Sequence, residues 1–266
     1  MIGTLKRRLA RHLERRFPLW WLKFRIWRRD RHFEREFFTL GALCPPGRIA
    51  VDVGGNAGEY SYWLSLHAAR VVVYEPNPGC HPAISRLNRP NIRLRSVALS
   101  DRSGTARLVF QNGNSGIGSI AGENPIFSLE NEPDYVQLTV QTVRLDEEAL
   151  DPVGLMKIDV EGHEAAVVAG AMGVILRDRP RLMIEVEERH RSGAHERVRA
   201  LLEPADYRRF RQEEGRLRPL PWDVDARSLQ TAAPGTPGYV NNFFFFHETD
   251  PLADPVADPA TAGRRP

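Results

Sequence analysis

An apolar run, Ile49 to Val53, breaks into Gly54-Gly55-Asn56-Ala57-Gly58 and resumes as a helical stretch from Glu59 to His67. A second apolar run, Arg70 to Tyr74, follows and ends at Glu75-Pro76. This order is strand, glycine-rich turn, helix, strand: the βαβ unit, which commits the chain to a parallel sheet. Glycines at such a turn let the backbone bend sharply and approach a ligand, while the helix start offers unpaired N–H groups. The turn by itself suits NAD, FAD, S-adenosylmethionine or no ligand at all. Its glycines at 54, 55 and 58 do not make the G-x-G-x-x-G spacing of a pyrophosphate site. Glu75, at the end of the second strand, can accept hydrogen bonds from both hydroxyls of a ribose, which supports an adenosine ligand without naming it.

The alternation continues. A helix over Cys80 to Leu87, a strand over Ile92 to Leu99, a turn at Asp101 to Gly104 and a strand over Ala106 to Phe110 are predicted, followed by a Gly/Asn/Ser-rich segment, Gln111 to Ser119, that reads as a mobile loop. Tyr135 to Val143 alternates as a strand does; then come a strand over Leu155 to Val160, a helix over His163 to Leu176, a strand over Leu182 to Val186 and a helix over Ala194 to Leu202. Tyr207 to Arg211 and Asn242 to His247 read as a hairpin closing the sheet edge. The expected fold is α/β, with a doubly wound, mainly parallel sheet.

The 266 residues suffice for one such domain without staples. Residues 1–43 are expected as a basic, aromatic, helical extension, 44–248 as the catalytic domain, and 249–266, rich in Pro, Ala and Asp, as a disordered tail. Residues 1–35 hold twelve Lys/Arg against Glu14, Asp30 and Glu34, a local charge of +9 that leaves about −6 for the rest of a chain whose total is +3. Trp20, Trp21, Phe24 and Trp27 lie among these cations. The segment suits a nucleic-acid arm, an interfacial helix on anionic lipid, or a lid on the catalytic domain. Nucleic acid is disfavoured, because no recognisable binding module accompanies it; peripheral membrane contact through residues 1–35 stays open beside plain packing. Cys44 and Cys80 are too few and too far apart for a disulfide framework or a zinc site, no apolar run reaches membrane-spanning length, and no secretion signal is evident. A cytoplasmic location is expected.

Five motifs occur in an order that resembles FkbM-type methyltransferases: VDVGGNAGEYS from Val51 to Ser61, YEPNP from Tyr74 to Pro78, VALSD from Val97 to Asp101, VRLD from Val143 to Asp146, and MKIDVEGHE from Met156 to Glu164. The last is the most specific, and the resemblance covers about residues 49 to 190. Where the family usually has Ala, this chain has Gly55, which predicts a looser turn. The resemblance implies a class I, Rossmann-like methyltransferase fold, S-adenosylmethionine as methyl donor, and O-methylation of a small-molecule or carbohydrate acceptor, such as a sugar, glycan or natural product. It also implies that Gly54, Asn56 and Gly58 line the donor's aminoacyl end, that Glu75 holds its ribose, and that Asp101 meets its adenine amino group. Asp52 would either orient the donor's ammonium or serve as a buried acid within the turn.

Methyl transfer to a hydroxyl needs in-line alignment and a group that lowers the cost of losing the hydroxyl proton, either a base or a metal. Asp159, Glu161, His163 and Glu164 sit at the carboxyl end of a central strand, where ligands bind in open α/β sheets. Asp159, Glu161 and His163 are the candidate catalytic residues. His163 has the side chain suited to neutral pH, and Asp159 is placed to touch the donor or the incoming hydroxyl; Glu161 and Glu164 can instead cap the following helix. A magnesium site would combine Asp159 with Glu185 or Glu187, but the metal-free route is favoured. His190 is a further candidate base, and Lys157 either neutralises nearby carboxylates or packs by its stem. Two competing functions remain: a NAD-dependent oxidoreductase and a non-catalytic adenosine-binding protein.

Overall fold

The computed structural model describes residues 39–111, 114–120, 135–234, 236 and 238–254. The basic extension therefore lies outside the described residues except for its last turn, α1 (Leu40–Leu43), whose Leu40 and Leu43 are fully buried. The βαβ unit is present as β1 (Ile49–Val53), α2 (Glu59–Leu64) and β2 (Arg70–Tyr74). It continues through α3 (His81–Arg86) to β3 (Ile92–Arg95). After an inserted segment the chain returns with β8 (Val153–Ile158), α4 (Glu164–Gly170), α5 (Met172–Asp178), β9 (Arg181–Glu185) and α6 (Ala194–Leu202). It then adds β10 (Tyr207–Glu213), β11 (Arg216–Pro219) and β12 (Asn242–His247).

These strands form one sheet of order β11-β10-β12-β9-β8-β1-β2-β3. The five strands from β9 to β3 are parallel to their neighbours, and β12, β10 and β11 are antiparallel. The expected doubly wound, mainly parallel α/β architecture is what the chain adopts. Alternate side chains of each strand feed opposite layers, as period-2 geometry demands. Val51, Val53, Met156, Ile158, Phe243 and Phe245 pack on the α4–α6 side. Ala50, Val71, Val73, Leu155, Phe244 and Phe246 pack on the side of α1, α2 and α3. The run of four phenylalanines in β12 is thus a strand buried on both faces.

Several expectations need correction. The stretch Ile92 to Leu99 is two strands, because β4 (Ala98–Leu99) leaves the main sheet for a second one. That sheet has the order β4-β7-β5-β6, with β5 (Gly104–Gln111) antiparallel to both β6 (Asn114–Ile120) and β7 (Tyr135–Val143). The expected mobile loop, Gln111 to Ser119, is therefore mostly strand β6. Its composition signals a loop, but β5 supplies the ladder, pairing Leu108 with Ile120 and Phe110 with Gly118. Gly118 suits this packing, since a Cβ there would come within 3.1 Å of the Phe110 Cβ.

The predicted helix over His163 to Leu176 is two helices meeting at Ala171. Gly170 at the joint lies so close to the Ser100 carbonyl that an added Cβ would stand 1.9 Å from its oxygen. The pairing of β10 with β12 is as expected, but β12 inserts between β9 and β10, so β11 forms the sheet edge. Beyond residue 248 the chain stays structured to Asp254: Asp250 holds Arg181 at 2.8 Å, and Leu252 and Ala253 are buried. Residues 255–266 lie outside the described residues. No helix among the described residues is long and apolar enough to cross a membrane.

Phe245 is almost fully buried and stacks on Trp222 at 5.7 Å between ring centroids. Phe245→Ala is expected to cost about 3–5 kcal/mol, read as a lower urea midpoint with unchanged transition slope.

Candidate functional site

The sheet changes winding direction between β1 and β8, and it is outside the carboxyl ends of strands at such a switch that a crevice opens. An open cleft lies there. Its walls come from four places: the turn after β1 (Val53, Gly54, Asn56), the segment ending β2 (Tyr74 to Asn77), the turn after β8 (Asp159, Val160, Glu161, His163), and the second sheet (Ala98, Leu99, Leu108, Phe110, Gly118, Ser119, Ile120). The sequence predicted the first three walls. The fourth was missed, although Leu108 and Phe110 share the alternation of a half-buried strand; their partners on β6 were hidden in glycine-rich sequence.

Gly54 has φ +79°, and an added Cβ would stand 1.9 Å from the Asp159 carbonyl oxygen. Only glycine allows the β1 turn and the β8 turn to approach this closely. Asn56 also has positive φ, 44°, and its N–H donates to Glu75 Oε2 at 2.8 Å. Glu75 Oε1 accepts from the Asn77 N–H at 2.7 Å. Burial pushes the Glu75 carboxyl above its ordinary value, and these two backbone donors work against the shift. Each oxygen retains a second lone-pair direction with which to meet a ligand hydroxyl.

The remaining turn residues do other things. Gly55 does not loosen the turn: it packs on Val73, whose Cγ1 would be 2.2 Å from an added Cβ. Gly58, at φ +84°, faces Leu87 and Ile84 of the α3 region and does not line the cleft. Asp52 is buried below it, with Oδ2 accepting from the Ser61 hydroxyl at 2.5 Å and Oδ1 without a hydrogen-bond partner among the described residues. Burial raises the Asp52 carboxyl, partly offset by the Lys157 charge. Asp101 is half-exposed beside Arg102 and Ser100 and is absent from the cleft wall.

On the β8 turn, Lys157 is only 3 % exposed, and its Nζ contacts Asp159 Oδ2 at 2.8 Å and the Tyr60 ring at 4.6 Å. Lys157 thus neutralises Asp159 as well as packing. Glu161 has φ +53°, its Oε2 lies 2.9 Å from His190 Nε2, and its carbonyl accepts from the Ser119 hydroxyl at 2.7 Å. His163 opens α4 without a side-chain cap and instead contacts the Ser100 hydroxyl through Nε2 at 3.0 Å. Burial lowers its pKa, which favours neutral imidazole at pH 7. The three candidate catalytic residues, Asp159, Glu161 and His163, therefore share one wall.

Of the carboxylates considered for magnesium, Glu185 and Glu187 do not line the cleft. Glu185 accepts from Asn241 Nδ2 at 2.9 Å, and Glu187 is held by Arg189 and by the Tyr239 hydroxyl. Among the described residues no group of three or more His, Cys, Asp or Glu is arranged to hold a metal ion.

Glu164, fully buried behind this wall, accepts from the Gly162 N–H at 2.8 Å, and burial pushes its pKa up to about 7. A folded-state pKa above the unfolded value means that the folded protein binds the proton more tightly. The associated stability is complete below the unfolded value and is lost as pH rises through about 7. Urea midpoints measured from pH 4.5 to 8 are expected to fall less in Glu164→Gln, whose amide oxygen can still accept from Gly162 but carries no charge.

A family model described as the methyltransferase FkbM domain matches residues 52–209, more than half of the chain. Among relatives, the 31-O-demethyl-FK506 methyltransferase FkbM of Streptomyces tacrolimicus is 30% identical over 200 residues, covering 64% of this chain and 76% of that protein. The 2-O-methyltransferase NoeI of Sinorhizobium fredii is 28% identical over 162 residues, covering 54% of this chain and 65% of that protein. A crystal structure of a methyltransferase FkbM from Methylobacillus flagellatus aligns at 15% identity and a TM-score of 0.48; the match covers 75% of this chain and 44% of that one, so the chain spans less than half of the crystallised protein. With its most specific motif on the cleft wall and the family model spanning β1 to β10, the chain belongs to the FkbM methyltransferase family.

Proposed function

We propose that the chain is an S-adenosylmethionine-dependent O-methyltransferase acting on a hydroxyl of a sugar, glycan or natural product. The observation that carries the reading is the charge of the cleft. Its wall holds three carboxylates, Glu75, Asp159 and Glu161, of which only Asp159 is paired with a lysine, Lys157 from behind the wall, and no Lys or Arg is among the described lining residues. Such a site favours a ligand bearing a sulfonium and an ammonium over one bearing a pyrophosphate, which argues against the nicotinamide alternative. The names of two relatives, a 31-O-demethyl-FK506 methyltransferase and a 2-O-methyltransferase, support oxygen as the methylated atom.

When bound, S-adenosylmethionine supplies a methyl group on a positively charged sulfur. Glu75 is the residue to hold its ribose, because its two oxygens are fixed by Asn56 and Asn77 with lone pairs to spare. Gly54 and Asn56 offer backbone to its aminoacyl end, and the unpartnered Oδ1 of Asp52 is an acceptor for its ammonium, directly or through water. Gly58 acts on the donor site only through the packing of the turn. Asp101, outside the cleft wall, reaches adenine only if its turn moves inward. The apolar side chains of Leu99, Leu108, Phe110 and Ile120 exclude water, which strengthens the electrostatics of the opposite wall. Asp159, Glu161 and His163 face the space where an acceptor hydroxyl would lie.

Calorimetry is expected to show binding of S-adenosylhomocysteine and none of NADH; the reverse would reinstate the oxidoreductase. Glu75→Ala removes a charged acceptor worth roughly 1.5–3 kcal/mol per bond. Affinity for S-adenosylhomocysteine is expected to fall at least about tenfold in a variant whose melting transition stays cooperative. With Glu185 and Glu187 held elsewhere, transfer of labelled methyl to a hydroxyl acceptor is expected to survive EDTA; loss of transfer restored by magnesium would make Asp159 a metal ligand instead.

A further inference from the structure

We infer that His190, backed by Glu187, is a positioning residue that aims the Glu161 carboxylate into the cleft as the group that takes the acceptor's hydroxyl proton. The inference rests on the donor assignment above and selects one residue from the wall of three. Asp159 Oδ2 is already engaged, at 2.8 Å, by the Nζ of buried Lys157. The His163 ring nitrogen Nε2 is engaged with the Ser100 hydroxyl. Glu161 is held instead by an imidazole, 2.9 Å from its Oε2. Glu187 Oε2 lies 3.7 Å from the same His190 Nε2, and although burial lowers the pKa of the ring, the two facing carboxylates raise it above its ordinary value, so that the imidazole is held between them.

Three further observations indicate that the pair is built rather than incidental. Glu161 keeps φ at +53°, a strained region for a residue with a Cβ that persists where the surroundings over-determine it. Its neighbour Gly162, at φ +102°, lies against the backbone of His190, whose carbonyl oxygen would be 3.1 Å from an added Cβ. Glu187 is itself fixed by the Tyr239 hydroxyl at 2.9 Å and by Arg189, and its carbonyl accepts the His190 N–H at 3.1 Å. The chain Tyr239, Glu187, His190, Glu161 thus runs from the segment before β12 to the cleft wall. From the opposite side Ser119 of β6 holds the Glu161 carbonyl.

The step balances. As the oxygen–methyl bond forms, the carbon–sulfur bond breaks with its electron pair left on sulfur, and the hydroxyl proton passes to a Glu161 oxygen. One positive and one negative charge disappear together, so the net charge of the cleft does not change.

The test needs no acceptor. Sinefungin carries an amine-bearing carbon where the donor carries its sulfonium methyl, whereas S-adenosylhomocysteine has nothing there. Their affinity ratio therefore reports a carboxylate facing the transferred methyl. Glu161→Gln is expected to leave S-adenosylhomocysteine affinity within about twofold and to reduce the sinefungin preference at least about tenfold, as loss of one charge-assisted hydrogen bond requires. His190→Ala is expected to lower the ratio in the same direction. His190→Gln, whose amide nitrogen can reach the same Glu161 oxygen, is expected to recover most of it. An unchanged ratio in Glu161→Gln, or a ratio that collapses only in Asp159→Asn, would overturn the assignment of Glu161. Equal ratios in His190→Ala and His190→Gln would overturn the positioning role. Failure of the wild-type protein to bind either compound would instead overturn the donor assignment, and this inference with it.

Discussion

The parallel pairing of β1 with β8, which sets Val53 beside Ile158, is the contact on which the rest of the site depends. The strands deliver two turns to the same end of the sheet, and those turns touch through backbone: Asp159 N–H donates to the Val53 carbonyl, and the Asp159 carbonyl occupies the space that a Gly54 side chain would need. A larger residue at 54 would separate the turns and with them the Glu75 and Asp159 walls of the cleft. Glycine here is a requirement of close approach and positive φ together, and not simply of a tight bend.

The pairing also buries charge. Asp52 and Lys157 face each other across the ladder on the α2 side, and Asp159 follows on the same face. A lone buried ammonium would be very costly, and its closeness to carboxylates and to the Tyr60 ring offsets that cost. Such an arrangement contributes little net stability compared with apolar packing, but it holds Asp159 in one orientation. On the far side of the same turn, the His190–Glu161 contact does the corresponding work from the α6 approach. The wall therefore presents one carboxylate held by a lysine and one held by a histidine.

The second sheet gives the cleft its chemical asymmetry. Leu108, Phe110 and Ile120 form an apolar cover opposite the carboxylates, and the cover is tied down where Ser119 bonds the Glu161 carbonyl. An apolar roof over a carboxylate-lined wall lowers the local dielectric where charge is neutralised during transfer. Because the roof comes from an insertion between β3 and β8, its contacts can change without disturbing the parallel core.

By itself, the sequence determined the βαβ unit, the doubly wound class and the three motif walls, because strand periodicity, turn glycines and terminal acids are local signals that survive without knowledge of their partners. VDVGGN, YEPN and KIDVEGH were legible as site segments for that reason. Local signals could not reveal that Gly58 turns into packing, that Asp101 stays outside the cleft wall, or that Gly118 to Ile120 become a strand over the site. Those outcomes depend on which face a strand residue presents and on which distant strand completes its hydrogen bonds. The same holds for the pairing of Glu161 with His190: the two residues are brought together only by the turn that follows β9 folding back against Gly162. Tertiary structure decided these contacts because each depends on the distance between chain segments far apart in sequence, which no local residue pattern encodes.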